Sequence, residues 1–179
     1  MIQTTLIRLS LMVGVANLAL HAADPTRAAL IAADERRAAE VIQLKDASGK
    51  LIDLASHRGQ VVLVDFWATW CGGCKEELPW FQQFSDKYRR KGFSVIAVSV
   101  DEEGWPVVRK FVAPLGLTLK IVHDDTDTAK RYDLKELPAA FLVDRHGRVA
   151  AKYLGLVDRA DMESNIRTLL FERSPKRKK

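Results

Sequence analysis

The sequence predicts an α/β fold whose central sheet is covered on both faces. Val61-Val62-Leu63-Val64-Asp65-Phe66-Trp67 is a continuous apolar run broken by one acid, the pattern of a strand buried on two sides. Behind it, Cys74, Leu78, Phe81, Phe84 and Tyr88 recur at spacings of three and four, which is one face of a helix. Apolar runs then alternate with helical stretches in the rhythm of βαβ units. A length of 179 residues with 47% hydrophobic content suffices for one domain with a substantial core.

Taken in order, Arg8 precedes the apolar stretch from Leu9 to Leu20, and Ala22-Ala23 follow before the first acid, Asp24. Residues 1–22 read as a secretory signal, with an uncleaved anchor as the alternative. Twelve apolar residues at about 1.5 Å each cover roughly 18 Å, short of a hydrocarbon core of about 30 Å. No cysteine lies near this junction, which excludes attachment through a lipidated thiol. Residues 23–40 are Ala-rich and charged with a weak helical pattern, and are expected to form a helical or flexible lead-in. The domain proper is placed at 41–171. It opens on a hairpin, with short β runs at 41–44 and 50–54 around the turn Asp46-Ala47-Ser48-Gly49. After the Val61 strand come a helix over 73–91, stopped by Gly92 and expected to kink at Pro79, a strand over 93–100 and a helix over 104–113. A strand over 117–122, a short helix over 126–132, strands over 139–143 and 149–154, and an amphipathic helix over 158–171 complete it.

The basic excess does not indicate nucleic acid. Arg8 and the five basic residues of Arg173-Ser174-Pro175-Lys176-Arg177-Lys178-Lys179 account for it: without those six, 22 basic residues face 23 acids. The tail at 172–179 reads as a solvated, frayed end, with contact to an anionic membrane surface as the second reading.

All the chemistry converges on Phe66-Trp67-Ala68-Thr69-Trp70-Cys71-Gly72-Gly73-Cys74-Lys75, which holds both cysteines of the chain. Two cysteines separated by two residues at the start of a helix point to a reversible dithiol/disulfide. A structural staple is the weaker reading, since so small a ring contributes only about 2 kcal/mol by chain entropy against about 3 for a fifteen-residue loop. Zinc would need two more ligands, and His21, His57, His123 and His146 are scattered singly. Asp65, six residues before Cys71 in an apolar strand, is a candidate buried acid able to exchange a proton with the resolving thiol, or else a structural hydrogen-bonding group. Glu77, three residues after Cys74, is either a second such acid or a solvated helix acid like Glu76.

These residues, with Pro79 five positions past Cys74 and Leu137-Pro138-Ala139-Ala140-Phe141-Leu142-Val143-Asp144 downstream, resemble the thioredoxin superfamily. Within it the chain is most similar to the exported TlpA-like thiol:disulfide reductases, through its signal segment, leading hairpin, Cys-x-x-Cys-Lys-x-Glu and extra helix and strand before Pro138. The resemblance covers about residues 41 to 171. It implies a thioredoxin-like fold: a central mixed sheet flanked by helices, with an N-terminal hairpin and a helix–strand insertion ahead of a cis-proline at Pro138; an ordinary trans turn proline is the alternative there. Cys71 is then the exposed nucleophile and Cys74 the shielded resolver, with Trp70, Gly72, Gly73 and Leu137 forming the substrate-docking rim. Lys75 reads as a surface charge. Leu137 departs from the small polar residue common before this proline, and Gly72-Gly73 adds neither rigidity nor charge beside Cys71.

The implied function is reduction of disulfides in exported client proteins, such as the haem-binding cysteines of an apocytochrome, with re-reduction by a membrane thiol carrier. No cofactor, metal or nucleic acid is implied, the location is periplasmic or otherwise extracytoplasmic, and the expected state is a monomer. Any membrane contact would come through an uncleaved N-terminal segment. A disulfide oxidase or isomerase, or a copper or zinc carrier using the same dithiol, is the competing function. A peroxidase is disfavoured because Thr69 is two residues before Cys71, not three.

Overall fold

The computed structural model describes residues 24–172, so the expected signal at 1–22 and the basic tail from 173 onward lie outside the described residues. The hairpin pairs β1 (Gln43–Lys45) with β2 (Leu51–Asp53). Its turn is held by Asp46 Oδ1, which accepts from the N–H groups of Ser48 at 2.8 Å and Lys50 at 3.1 Å. Gly49 takes the left-handed conformation this turn requires (φ +84°).

A second sheet of five strands carries the domain. Its strands are β3 (Val61–Trp67), β4 (Phe93–Ser99), β5 (Lys120–His123), β6 (Ala139–Val143) and β7 (Val149–Leu154), in the spatial order β5-β4-β3-β6-β7. The β3, β4 and β5 strands run parallel, while β6 is antiparallel to both β3 and β7, so the sheet is mixed as expected. Strand β5 begins later than the apolar pattern suggests, because the Thr118 N–H donates to the Gln82 side chain at 2.7 Å instead of entering the ladder.

Every residue of β3 is buried, and alternation sends its two sets of side chains into different cores. Leu63 packs with Phe81 and Phe84 of helix α1 (Gly72–Tyr88) and with Met162 and Ile166 of helix α4 (Arg159–Phe171). Trp67 joins Val108 of helix α2 (Trp105–Val112) and both cysteines. On the opposite face Val62, Val64 and Phe66 meet Ile42, Leu44, Ile52 and Leu54 of the hairpin region and Tyr132 behind the short helix α3 (Thr128–Arg131). Removing side chains such as Phe81 and Phe84 from water contributes roughly 2–3 kcal/mol each, which is how α1 is pressed onto β3. The helix continues through Pro79 to Tyr88, and Gly92 (φ +85°) closes the 3₁₀ turn that follows.

The lead-in is the main departure from expectation. Residues 24–40 form no helix; they run extended as a strap along the outer edge of the sheet. Ile31 N–H donates to Ala150 O at 2.8 Å, Val149 N–H to Arg37 O at 2.8 Å, and Ala39 N–H to Gly147 O at 3.0 Å. An uncovered β7 edge would leave unpaired peptide groups, and the strap pairs with those of Val149 and Ala150. Among the described residues, no helix is long and apolar enough to cross a membrane.

Arg36 fastens the strap from inside. Its side chain is 3% exposed, and its guanidinium donates to Asp144 Oδ2 at 3.2 Å, to both carboxylate oxygens of Glu172 at 2.6 and 3.0 Å, and to Ile31 O at 2.9 Å. Breaking a buried pair costs far more than an exposed one, because a partner is left charged out of water. Arg36→Ala is therefore expected to lower the stability of the domain by about 3 kcal/mol in equilibrium urea unfolding. A loss below about 0.5 kcal/mol, the scale of an exposed pair, would mean that the strap is held by its backbone bonds alone.

Candidate active site

The site lies where β3 ends and α1 begins. Trp67 is the last residue of β3, and the turn Ala68-Thr69-Trp70 delivers Cys71 to the N-cap of α1. Residues flanking the turn fix it: Thr69 N–H donates to both oxygens of Asp101 at 2.9 and 3.1 Å, and Thr69 Oγ1 donates to Asp101 Oδ1 at 2.6 Å. Ser99 Oγ donates to Asp101 Oδ2 at 2.8 Å, so this buried carboxylate gathers three donors, the Thr69 N–H being shared between its two oxygens. Asp101 was not singled out in the sequence. Its signal was positional: it follows the strand parallel to β3, and Trp67 pairs with Ser99 at the carboxyl end where loops of such sheets converge. Thr69 is thereby committed to holding the turn.

Cys71 and Cys74 are joined as a disulfide, and the Cys74 N–H points at Cys71 Sγ at 3.2 Å, as an N-cap donor should. The first free N–H groups of a helix favour negative charge, which suits a thiolate at Cys71 once the bond opens. The exposed nucleophile foreseen from the sequence is not seen in this oxidised state: Cys71 is 5% exposed and Cys74 1%. Trp70 next to them is 68% exposed. The two glycines differ. A Cβ on Gly72 would meet nothing within 4 Å, whereas one on Gly73 would lie 3.4 Å from Pro138 Cδ and 3.6 Å from Leu156 Cδ1. The sulfurs are thus approached past Gly72, while Gly73 is packed.

The Leu137–Pro138 peptide is cis, with Pro138 buried and Leu137 half-buried between two cores. The Pro138 carbonyl accepts from Gly155 N–H at 2.9 Å. Lys75 extends its ammonium over the Phe111 ring, 5.8 Å from the centroid.

Behind the disulfide stand two buried carboxyl groups. Asp65 shares the face of β3 that carries Leu63 and Trp67, and so looks toward α1; its neighbours across the sheet are Ala97 and Ala140. It is 1% exposed and neither oxygen has a hydrogen-bond partner. Burial, and then the nearby charge of Glu77, push its pKa well above the usual aspartate range. Glu77 is not the solvated acid that Glu76 is. It is fully buried on the same helix face as Cys74, with Oε1 accepting from Val157 N–H at 2.7 Å and Oε2 unpartnered. Burial raises its pKa to about 7, the Val157 bond opposing that rise. Trp67 Nε1 is a further buried polar atom without a partner on this side of the sheet. Among the described residues, no group of three or more His, Cys, Asp or Glu is arranged to hold a metal.

The sequence profile of the AhpC/TSA family matches residues 36–152. The thiol-disulfide oxidoreductase ResA of Geobacillus kaustophilus (strain HTA426) is 33% identical over 127 residues, covering 70% of this chain and 72% of that protein. Among solved structures, a putative thiol:disulfide interchange protein DsbE from Chlorobium tepidum superposes with a TM-score of 0.71 at 34% identity, over 75% of this chain and 96% of that one. StoA from Bacillus subtilis superposes with a TM-score of 0.60 at 27% identity, over 70% of this chain and 95% of that one. Since the match runs through the disulfide turn, the buried carboxyls behind it and the cis-proline facing it, this chain belongs to the thioredoxin-like AhpC/TSA family and is a thiol:disulfide oxidoreductase.

Proposed function

We propose that this oxidoreductase works outside the cytoplasm as a reductant of client-protein disulfides, such as those between the haem-binding cysteines of an apocytochrome, and is re-reduced by a membrane thiol carrier. The apolar segment near the N-terminus supports export, and the family resemblance supports the client. The observation that carries the direction of electron flow is the pair of buried carboxyl groups, Asp65 and Glu77, on the helix side of the disulfide. A dithiol becomes a strong oxidant when its thiolate is stabilised. The buried ionisable groups behind the disulfide are acids rather than cations, and the Lys75 ammonium lies over the Phe111 ring, 5.8 Å from its centroid.

In the reduced protein, the Cys71 thiolate attacks one sulfur of the client disulfide and releases the other as a thiolate, leaving a mixed disulfide. Cys74 then loses its proton to a carboxylate and attacks Cys71 Sγ, which frees the second client sulfur and closes the Cys71–Cys74 bond. Two electrons and two protons pass from the dithiol to the client. Glu77, with a pKa about 7, is poised to take the Cys74 proton at neutral pH, and Asp65 on β3 is a second buried acid whose pKa is raised by its burial and by Glu77.

Equilibration with glutathione buffers tests the direction: the expected potential lies below roughly −220 mV, and a value near the roughly −120 mV of a strong oxidant would overturn it in favour of an oxidase. Cys71→Ser is expected to abolish reduction of insulin disulfides, whereas Cys74→Ser should still attack and accumulate a mixed disulfide visible by mass spectrometry. Preferential alkylation of Cys74 over Cys71 in the reduced protein would reverse those roles.

The carboxyls also make stability depend on pH. Because the folded pKa of Glu77 is raised from 4.5 to about 7, the folded protein binds this proton more tightly than the unfolded chain. Its contribution is complete below about pH 4.5 and is lost as pH rises through about 7; Asp65 acts in the same direction. Glu77→Gln, which keeps an acceptor for Val157, should match the wild type near pH 4.5 and exceed it by on the order of 3 kcal/mol at pH 8.5. Urea unfolding of the oxidised proteins at the two pH values checks this. In parallel, the rate of client reduction by Glu77→Gln should lose one ionisation from its pH profile.

A further inference from the structure

The loop joining β7 to α4 is held on two sides. On its inner side Gly155 N–H donates to Pro138 O at 2.9 Å, Val157 N–H donates to Glu77 Oε1 at 2.7 Å, and Leu156 packs beside Gly73. On its outer side lies the beginning of the N-terminal strap. Thr26 N–H donates to Leu156 O at 2.6 Å, Asp158 N–H donates to Thr26 O at 2.8 Å, and Thr26 Oγ1 donates to Leu154 O. Arg27 pairs with Asp158 at 2.7 Å, and the Ala28 carbonyl accepts from Asn165 at 2.7 Å.

The carbonyl of Leu156 and the N–H of Val157 belong to one peptide group. That group is planar, so turning one end turns the other. Thr26 grips its oxygen from the strap while its N–H serves Glu77, the only hydrogen bond made by that carboxyl group among the described residues. A peptide group that accepts at one end is also polarised into a better donor at the other.

We propose that Thr26 is a positioning residue for Glu77, acting through the Leu156–Val157 peptide group, so that the strap sets how readily the acid behind the dithiol releases its proton. The charged groups around Glu77 are Asp65 from β3 and Glu76 on its own helix; the loop and strap add the Arg27–Asp158 pair, in which Arg27 is three-quarters exposed. With the peptide group loosened, the Glu77 carboxylate loses its donor while its burial remains, and it holds its proton to higher pH. The effect on rate rests on the reading of Glu77 as proton carrier; the effect on its titration does not.

The test uses the oxidised protein and follows the Glu77 carboxyl carbon by NMR across pH, with hydrogen exchange of the Val157 amide as a second readout. Thr26→Pro removes the N–H that holds Leu156. Glu77 should then titrate higher by roughly half a unit or more, and Val157 should exchange about tenfold faster. Thr26→Ala, which keeps the N–H and loses only the hydroxyl, should titrate close to the wild type. Should Thr26→Pro not fold, the Arg27→Ala, Asn165→Ala double variant, which removes the strap's neighbouring side-chain anchors, should shift Glu77 in the same direction. An unchanged Glu77 titration and Val157 exchange in the strap variants overturns the proposal, even if Glu77→Gln alters the pH profile of reduction. A shifted titration without any shift in that profile upholds the role of Thr26 and instead removes Glu77 from the proton pathway.

Discussion

Placing an acid in the middle strand of a sheet has a high cost if it is charged, and Asp65 sits there with neither oxygen bonded. Burial therefore favours its protonated form, and that constraint propagates outward. A second carboxyl on the facing helix, Glu77, feels the same low-dielectric surroundings but retains one donor, from Val157. The two acids therefore differ in what opposes their burial: Glu77 has a backbone donor and Asp65 has none. One donor and one neighbouring acid thus set the two carboxyl groups apart: Glu77 has the Val157 bond opposing the effect of its burial, whereas Asp65 has burial and the nearby Glu77 both raising its pKa.

The hydrophobic scaffold explains why both acids stay dry. Phe81, Phe84 and Leu78 hold α1 against β3, while Trp67 and Val108 close the end nearest the sulfurs. The helix that buries Glu77 also presents Cys71 at its N-cap, so one packing interface places both the buried acid and the first cysteine. On the solvent side the arrangement is sparse. Asp101 pins the turn through Thr69, a Cβ on Gly72 would meet nothing, and Trp70 stands exposed beside the disulfide.

Coverage of the β7 edge links the periphery to this centre. A strap that pairs with an edge strand prevents unwanted pairing with other chains. Its first residues here also fall on the loop that serves Glu77, Pro138 and Gly73. Edge protection and the geometry of the site are thus carried by the same short run of backbone.

The sequence by itself determined the order of elements, the strand buried on both faces, the helix carrying the cysteines and the mixed sheet implied by the family resemblance. These are legible because periodicity and turn residues act locally, over windows of a few residues. Asp65 was legible for the same reason: an acid inside an unbroken apolar run has nowhere to go but inward. The lead-in at 23–40 reads from sequence as helical or flexible because Ala-rich composition speaks only for local propensity, whereas the edge of β7 along which residues 24–40 lie is a tertiary demand invisible in the chain. Asp101 and the 155–157 loop were missed because their partners, Thr69, Glu77 and Thr26, are 32, 80 and more than 100 residues away in sequence. Helical spacing from Cys74 separates Glu77 from the solvated Glu76, but tertiary structure alone decided that Glu77 is buried, since only the loop packed there turns that helix face into an interior.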